Sequence, residues 1–294
     1  MSPRLNTDAS IDHPRAGLQP APSTGRFVEA GGLRLHYLDY GAAGRPAMLC
    51  LHGGAAHGHW FDFVAASFSA DYHVRALDLR GHGNSAWADP PAYSYERYAS
   101  DLAEVVEKLD LRDFVLVGHS MGGMVALVYA ATYPGRVGKL VVVDSSQQVT
   151  AERIAAMRSF GTRPSSSYAT LEELVARYRL QPGGTTAAPE IMRHLAQNGA
   201  RQMGDGGWRH KFDRNVYVAR KIVDGLACWS RVGIPALLVK GELSQRITPQ
   251  VAAEVKARCP HVEFAEVPHS YHHVTLDNPS GFTYAVKAFL AKYF

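Results

Sequence analysis

The stretch from residue 114 to residue 146, "FVLVGHSMGGMVALVYAATYPGRVGKLVVVDSS", leaves this chain few ways to fold. Two short β-branched runs, "FVLVGHS" and "KLVVVDSS", are apolar at consecutive positions, the pattern of strands covered on both faces. Between them lies a helix-like "MGGMVALVYAATYP". A strand, a helix and a second strand in that order place the two strands parallel, with helices on the faces of the sheet.

The same alternation runs along much of the chain. "AMLCLHGG" and "HVRALDLRGHG" read as buried strands stopped by glycine, with a helix expected around Trp60 to Phe68. "SYERYASDLAEVVEKLDL" has helical spacing, with Ser94 as its N-cap. "IPALLVKG", "QVAAEVKARC", "HVEFAEVP" and "GFTYAVKAFLAKYF" continue the series to the C-terminus, and "RFVEA" with "LRLHYLDYG" around a Gly-Gly turn reads as an opening hairpin. Residues 145 to 232 interrupt it with helix-like pieces, among them "TLEELVARYRL" and "APEIMRHLAQNGARQM", and no convincing β run. The reading is an α/β chain with a mostly parallel central sheet flanked by helices. Residues 1–25 form a disordered tail rich in Pro, Ala and Ser. Residues 26–144 and 233–294 form the two parts of the core, and residues 145–232 an inserted helical cap.

Composition removes several classes of function. With 294 residues, 46% hydrophobic and 20% charged, the chain has the make-up of a water-soluble globular protein. A net charge of +4, without a run of basic residues, gives no nucleic-acid arm. No apolar stretch has membrane-spanning length and no leader pattern opens the chain. Three scattered cysteines read as buried free thiols, so a cytoplasmic location is expected. No metal or cofactor is expected, since the histidines lack ligand spacing.

The sharpest motif is G-x-S-x-G, Gly118-His119-Ser120-Met121-Gly122, where a strand hands over to a helix. Such a turn holds its central residue at positive φ and leaves no room for side chains at the flanking glycines. It lifts the Ser120 hydroxyl above the sheet, at a helix N-terminus whose dipole favours developing negative charge.

With "LHGGAAHGHW" and "LDLRGHGNS", this motif makes the chain from Arg26 to Phe294 resemble the α/β-hydrolase fold superfamily, in its serine esterase-like form. The resemblance implies an oxyanion hole made by the backbone N–H groups of Gly54 and Met121, with the Met121 side chain left free to line the pocket. It makes His52 a loop-orienting residue, Trp60 a packing residue, and leaves His57 and His59 either facing substrate or solvated. The family's catalytic histidine stands five residues before an acidic residue with a proline two further on. His272 fits, ahead of Asp277 and Pro279, and His273 is the runner-up.

The family's usual acid site, three residues after Gly241, holds Ser244. The resemblance offers one other location, the end of the preceding strand, where this chain has Asp144. Glu242 is the competing acid, and a helix-capping role is the competing account of Asp144. Ser120, His272 and Asp144 are therefore the expected triad of a cofactor-independent hydrolase acting on a small-molecule ester or lactone. Hydrolysis of a C–C bond in a diketone-like compound and a non-catalytic small-molecule receptor are the rival readings. His119, Trp208, Phe212 and Tyr271 are the expected pocket residues. The cap from Ser145 to Arg231 holds 13 Lys/Arg against 7 Asp/Glu, net +6, which either solvates helix faces or draws in an anionic substrate.

Overall fold

The computed structural model describes residues 18–293. Most of the expected tail, residues 1–17, lies outside them, and residues before 26 already belong to the fold. The Ala21 N–H donates to the Asp62 carbonyl at 2.8 Å, and β1 already starts at Thr24. β1 (Thr24–Ala30) and β2 (Leu33–Asp39) pair antiparallel around Gly31 and Gly32, both at positive φ, which is what a tight two-residue hairpin turn requires.

β3 (Ala47–Leu51), β4 (His73–Leu77), β5 (Phe114–His119) and β6 (Val137–Val143) follow, interleaved with α1 (Asp62–Phe68), α2 (Tyr95–Lys108) and α3 (Met121–Thr132). A short 3₁₀ turn, Gly58–Phe61, occupies the start of the helix expected from Trp60. Ser94 caps α2 by accepting from the Arg97 N–H. Between β6 and the next strand of the large sheet come α4 (Ala151–Gly161), α5 (Leu171–Arg177), α6 (Pro189–Asn198), β7 (Ala200–Gln202), β8 (Trp208–His210), α7 (Asn215–Val218) and α8 (Gly225–Trp229). The chain closes with β9 (Ala236–Gly241), α9 (Pro249–Arg258), β10 (Glu263–Val267), α10 (Val274–Asp277) and α11 (Pro279–Leu290).

The eight-stranded sheet has the order β1-β2-β4-β3-β5-β6-β9-β10 and is parallel from β4 onward. Alternation sorts its side chains into two cores. Leu116, Leu140, Val142 and Leu238 pack with α2, α3 and α8, while Val115, Val117, Val141, Val143, Leu237 and Val239 pack with α1 and α11. α11 contributes Phe282, Val286, Phe289 and Leu290, one helical stripe, each worth about 1.5–3 kcal/mol on full burial.

Two features of the inserted segment differ from expectation. β7 and β8 form a small antiparallel hairpin across Asp205-Gly206, the latter at φ +80, where only helices were expected. Three-residue strands are too short to show a period, but Asp-Gly is itself a hairpin signal. α8 packs with α3 and α9, and its Leu226 and Trp229 belong to the core layer, so the insertion ends in space before residue 232.

The turn after β5 depends on bare glycines. A Cβ on Gly122 would stand 2.5 Å from the His52 carbonyl oxygen, and one on Gly118 would stand 2.7 Å from the Gly123 Cα. Both obstacles are backbone and cannot swing aside. Gly122→Ala should therefore lose about 3 kcal/mol or more in urea unfolding. Gly233→Ala, with open space around it, should stay within about 0.5 kcal/mol of the parent. Equal stabilities for the two variants would refute this account of the turn.

Candidate active site

Three neighbouring strands, β5, β6 and β9, end on the same edge of the sheet, where parallel α/β proteins collect functional groups. Ser120 follows β5 at φ +54, its N–H donating to the Val143 carbonyl at 2.8 Å and its carbonyl accepting from Ser145 Oγ at 2.7 Å. Asp144 follows β6, also at positive φ, and its N–H donates to the Val239 carbonyl at 2.7 Å. Two non-glycine residues in left-handed conformations at adjacent strand ends are a local cost that the surrounding hydrogen bonds hold in place.

The His272 loop is seated on Gly241, where a Cβ would stand 2.9 Å from the Ser270 carbonyl carbon. The Leu243 N–H donates to the Ser270 carbonyl, and the His269 N–H to Glu242 Oε2 at 2.8 Å. Glu242 thus braces the loop from outside. Asp277 braces it from the other side, accepting from the Tyr271 N–H at 2.9 Å and from Thr185 Oγ1 and the Thr186 N–H of the insertion.

Between these supports the side chains form one continuous chain. Ser244 Oγ donates to Asp144 Oδ2 at 2.6 Å, His272 Nδ1 lies 2.7 Å from the same oxygen, and His272 Nε2 lies 2.8 Å from Ser120 Oγ. Asp144 is fully buried and His272 nearly so. Burial raises the Asp144 carboxyl above its usual range, opposed by the hydrogen bond from Ser244. Burial likewise lowers the His272 imidazole, assisted by the neighbouring His273. Near neutral pH the arrangement is a carboxylate facing a neutral imidazole that has Ser120 Oγ–H as its other partner.

The other residues singled out in the sequence fall in several places. His52 accepts the Leu79 N–H at Nε2 and donates from Nδ1 to the Gly53 carbonyl, which fixes the loop carrying Gly54. His57 and His59 do not line the cavity: His57 is buried against the Leu195 carbonyl of α6, and His59 pairs with Asp62, which also takes His194 of α6. These nitrogens and the carboxylate lie within 4.8 Å of one another and could hold a metal; in the structure they clasp α6 to the core. His119 donates from Nε2 to the His272 carbonyl and stacks on Trp60; His273 instead meets the Pro182 carbonyl.

A cavity of about 250 Å³ opens over Ser120 and His272, lined among others by Gly54, His119, Phe160, Phe212 and Tyr217. Trp208, Tyr271 and the Met121 side chain are not part of its wall. Trp208 pairs with Tyr168 and packs against the small cluster of Leu174, Ala196 and Ala200. Tyr271 points outward against Gly184, and Met121 is buried with Arg220 donating to its sulfur. Phe160 and Tyr217, both on the insertion side of the cavity, went unnoticed in the sequence, because isolated aromatics on short irregular helices carry no periodic signal.

This fold and this strand-edge constellation define a hydrolase. The chain belongs to the α/β-hydrolase fold family, whose model matches residues 46–279. It is 30% identical to esterase Rv0045c of Mycobacterium tuberculosis over 92% of this chain and 90% of that esterase. It is also 30% identical to a 3-hydroxybutyrate-oligomer hydrolase of Cupriavidus necator, over 88% and 94% of the two chains. Among solved structures, E-2-(acetamidomethylene)succinate hydrolase superposes with a TM-score of 0.81 at 25% identity, over 92% of this chain and all of that one.

The divided fate of Trp208 and Phe212 gives a direct check. Trp208→Ala should lower stability by about 2 kcal/mol while leaving the relative kcat/KM across esters of graded size unchanged. Phe212→Ala should move that ratio by about tenfold or more. Reversed behaviour of the two variants would contradict the cavity as drawn.

Proposed function

We propose that the chain is a serine hydrolase of carboxylic esters or lactones. Ser120 is its nucleophile, His272 its general base and acid, and Asp144 the carboxylate behind the histidine. The observation that carries this reading is the unbroken hydrogen-bonded chain from Ser244 through Asp144 and His272 to Ser120. Ser120 Oγ attacks the substrate carbonyl as its proton passes to His272 Nε2. Asp144 holds the Nδ1–H tautomer and stabilises the imidazolium that forms. His272 then protonates the departing alkoxide, and water, deprotonated by the same nitrogen, releases the acid from Ser120.

The backbone N–H groups of Met121 and Gly54 are the proposed donors to the tetrahedral oxygen. Met121 heads α3 immediately after Ser120, and Gly54 stands in the cavity wall beside it. Each such donor is worth on the order of 3 kcal/mol in the barrier. A relative at 30% identity described as an esterase supports the ester class. A binding-only role is disfavoured by the aligned Ser–His–Asp contacts, which a receptor has no need to keep.

A fluorophosphonate probe should label Ser120, and p-nitrophenyl esters should be turned over. Rapid cleavage of a vinylogous diketone with inert esters would shift the assignment to C–C hydrolysis. Asp144→Asn should cost about four orders of magnitude in kcat, whereas Glu242→Gln, which removes a loop brace, should cost far less. Because Ser244 Oγ already lies 2.6 Å from Asp144 Oδ2, adding Ser244→Asp to Asp144→Asn should recover part of the loss. A dead Glu242→Gln beside an active Asp144→Asn would overturn the assignment.

The direction of the His272 shift sets the pH profile. A neutral imidazole is the active form and burial lowers its protonation range, so kcat/KM should hold its plateau downward past 6.5, the ordinary imidazole value. The Ser244 hydrogen bond keeps Asp144 lower than burial alone would, so Ser244→Ala should move the acid limb to higher pH by about one unit. A parent limb centred above 6.5, or one unmoved by the substitution, would contradict the scheme.

A further inference from the structure

The cavity is unevenly charged. Among the described residues lining it are Arg177, Arg179 and Arg214, and no Asp or Glu. Arg177 is exposed and pairs with Glu173 at 3.4 Å, so it is accounted for as a solvated helix residue. Arg214 is not. Its Nη2 donates to the Phe160 carbonyl, its guanidinium lies 4.3 Å over the Phe160 ring, and its buried Nε has no hydrogen-bond partner.

Arg220 stands behind the same wall. It is 4% exposed and rests on the rings of Tyr217 and Tyr95 and on the sulfurs of Met121 and Met157, with no carboxylate paired to it among the described residues. The Arg220 guanidinium is withdrawn from water, and with half-buried Arg214 in the wall the two leave positive potential inside the cavity. The wall adjoins the reacting centre. A Cβ on Gly54 would stand 3.3 Å from Tyr217 Oη and 3.7 Å from Arg220 Nη2.

We propose that this wall is a carboxylate subsite: the compound that is cleaved carries a free carboxylate that pairs with Arg214, while Arg220 adds charge from behind Tyr217. Arginine suits the task, since its planar fork matches a carboxylate and a partly desolvated pair is strong. The cavity of about 250 Å³ accommodates a small compound, such as the monoester of a short dicarboxylic acid. The inference rests on the hydrolase reading above for which bond breaks, and on the cavity itself for what binds.

Monoethyl glutarate and diethyl glutarate, followed by pH-stat, are matched esters with and without the charge. The parent protein should favour the monoacid in kcat/KM by at least about tenfold, the scale of one charge-assisted pair. Arg214→Gln should collapse that ratio by a similar factor, and Arg214→Lys should keep most of it. Sodium chloride should erode the ratio in the parent, since only the charged substrate feels the field. A parent that prefers the diester, or a ratio unmoved by both Arg214→Gln and salt, would overturn the subsite. If Arg214→Gln does not fold, the salt series on the parent decides alone, and a flat series overturns the proposal. Calorimetric binding of both esters to Ser120→Ala separates the two readings. Arg214-dependent preference for the monoacid without turnover by the parent would keep the subsite and sink the hydrolase. Turnover of both esters without discrimination would do the reverse.

Discussion

The buried carboxylate of Asp144 is the constraint on which the site depends. A charge with no solvent exposure persists only where hydrogen bonds and an adjacent polar partner replace water, and breaking such a pair costs about 3–5 kcal/mol. Its partners come from different parts of the chain: Ser244 from the loop after β9, and His272 from the loop after β10. They converge because β6, β9 and β10 are parallel neighbours whose C-terminal ends share one edge. The strand order and the electrostatic requirement are therefore two aspects of one arrangement.

That arrangement explains how the carboxylate that meets His272 can follow β6 while the loop after β9 holds a serine. Val143 and Val239 are register partners on adjacent strands, so residues just beyond them approach the same imidazole nitrogen from two sides. Ser244 Oγ and His272 Nδ1 meet the same Asp144 oxygen, at 2.6 and 2.7 Å. Ser244, retained beside it, donates to the oxygen it does not supply. The positive φ at Asp144 is the local cost of turning its side chain toward the histidine; a plain helix cap needs no such turn.

Much of this was legible in residues because the evidence was local. "FVLVGHSMGG" encodes strand, strained turn and helix within ten positions, and the glycines at 118 and 122 announce the close approach of backbone that the structure shows. Ser244 at the family's usual acid site, with the other location that the resemblance implies, singled out Asp144, the carboxylate that meets His272 Nδ1 in the structure. Non-local facts were hidden. His57 and His59 sit in the oxyanion loop in sequence, yet their rings face α6, a contact across more than a hundred residues that no spacing encodes. Trp208 was among the expected pocket residues, whereas the glycines before it turn a hairpin that sets it, half-buried, against Tyr168. Arg214 and Arg220 were visible only as part of a net charge, because a sequence does not say which arginines lose their water.

The insertion rests on both apolar layers of the core but adds polar ties of its own. Parallel strands sandwiched between two apolar layers fix the Ser–His–Asp geometry, and their burial is the cooperative part of the fold. Over the cavity, the insertion's own apolar cluster is no larger than Leu174, Ala196 and Ala200 with a few half-buried neighbours. It is joined to the core by apolar side chains, Leu180, Ile191 and Leu195 in one layer and Val216 in the other, and by polar contacts: His194 to Asp62, His57 to the Leu195 carbonyl, and Thr185 and Thr186 to Asp277. Asp277 also holds the Tyr271 N–H, so one carboxylate anchors both the insertion and the loop that carries His272. Contacts of this kind exchange with water at little net cost, while packed apolar layers do not. Substitutions in the insertion can thus reshape what enters the cavity without disturbing the strand ends where the chemistry is proposed to occur. Arg214 and Arg220 both lie on the insertion side, where the carboxylate subsite is proposed, while the strand ends hold the Ser120–His272–Asp144 contacts.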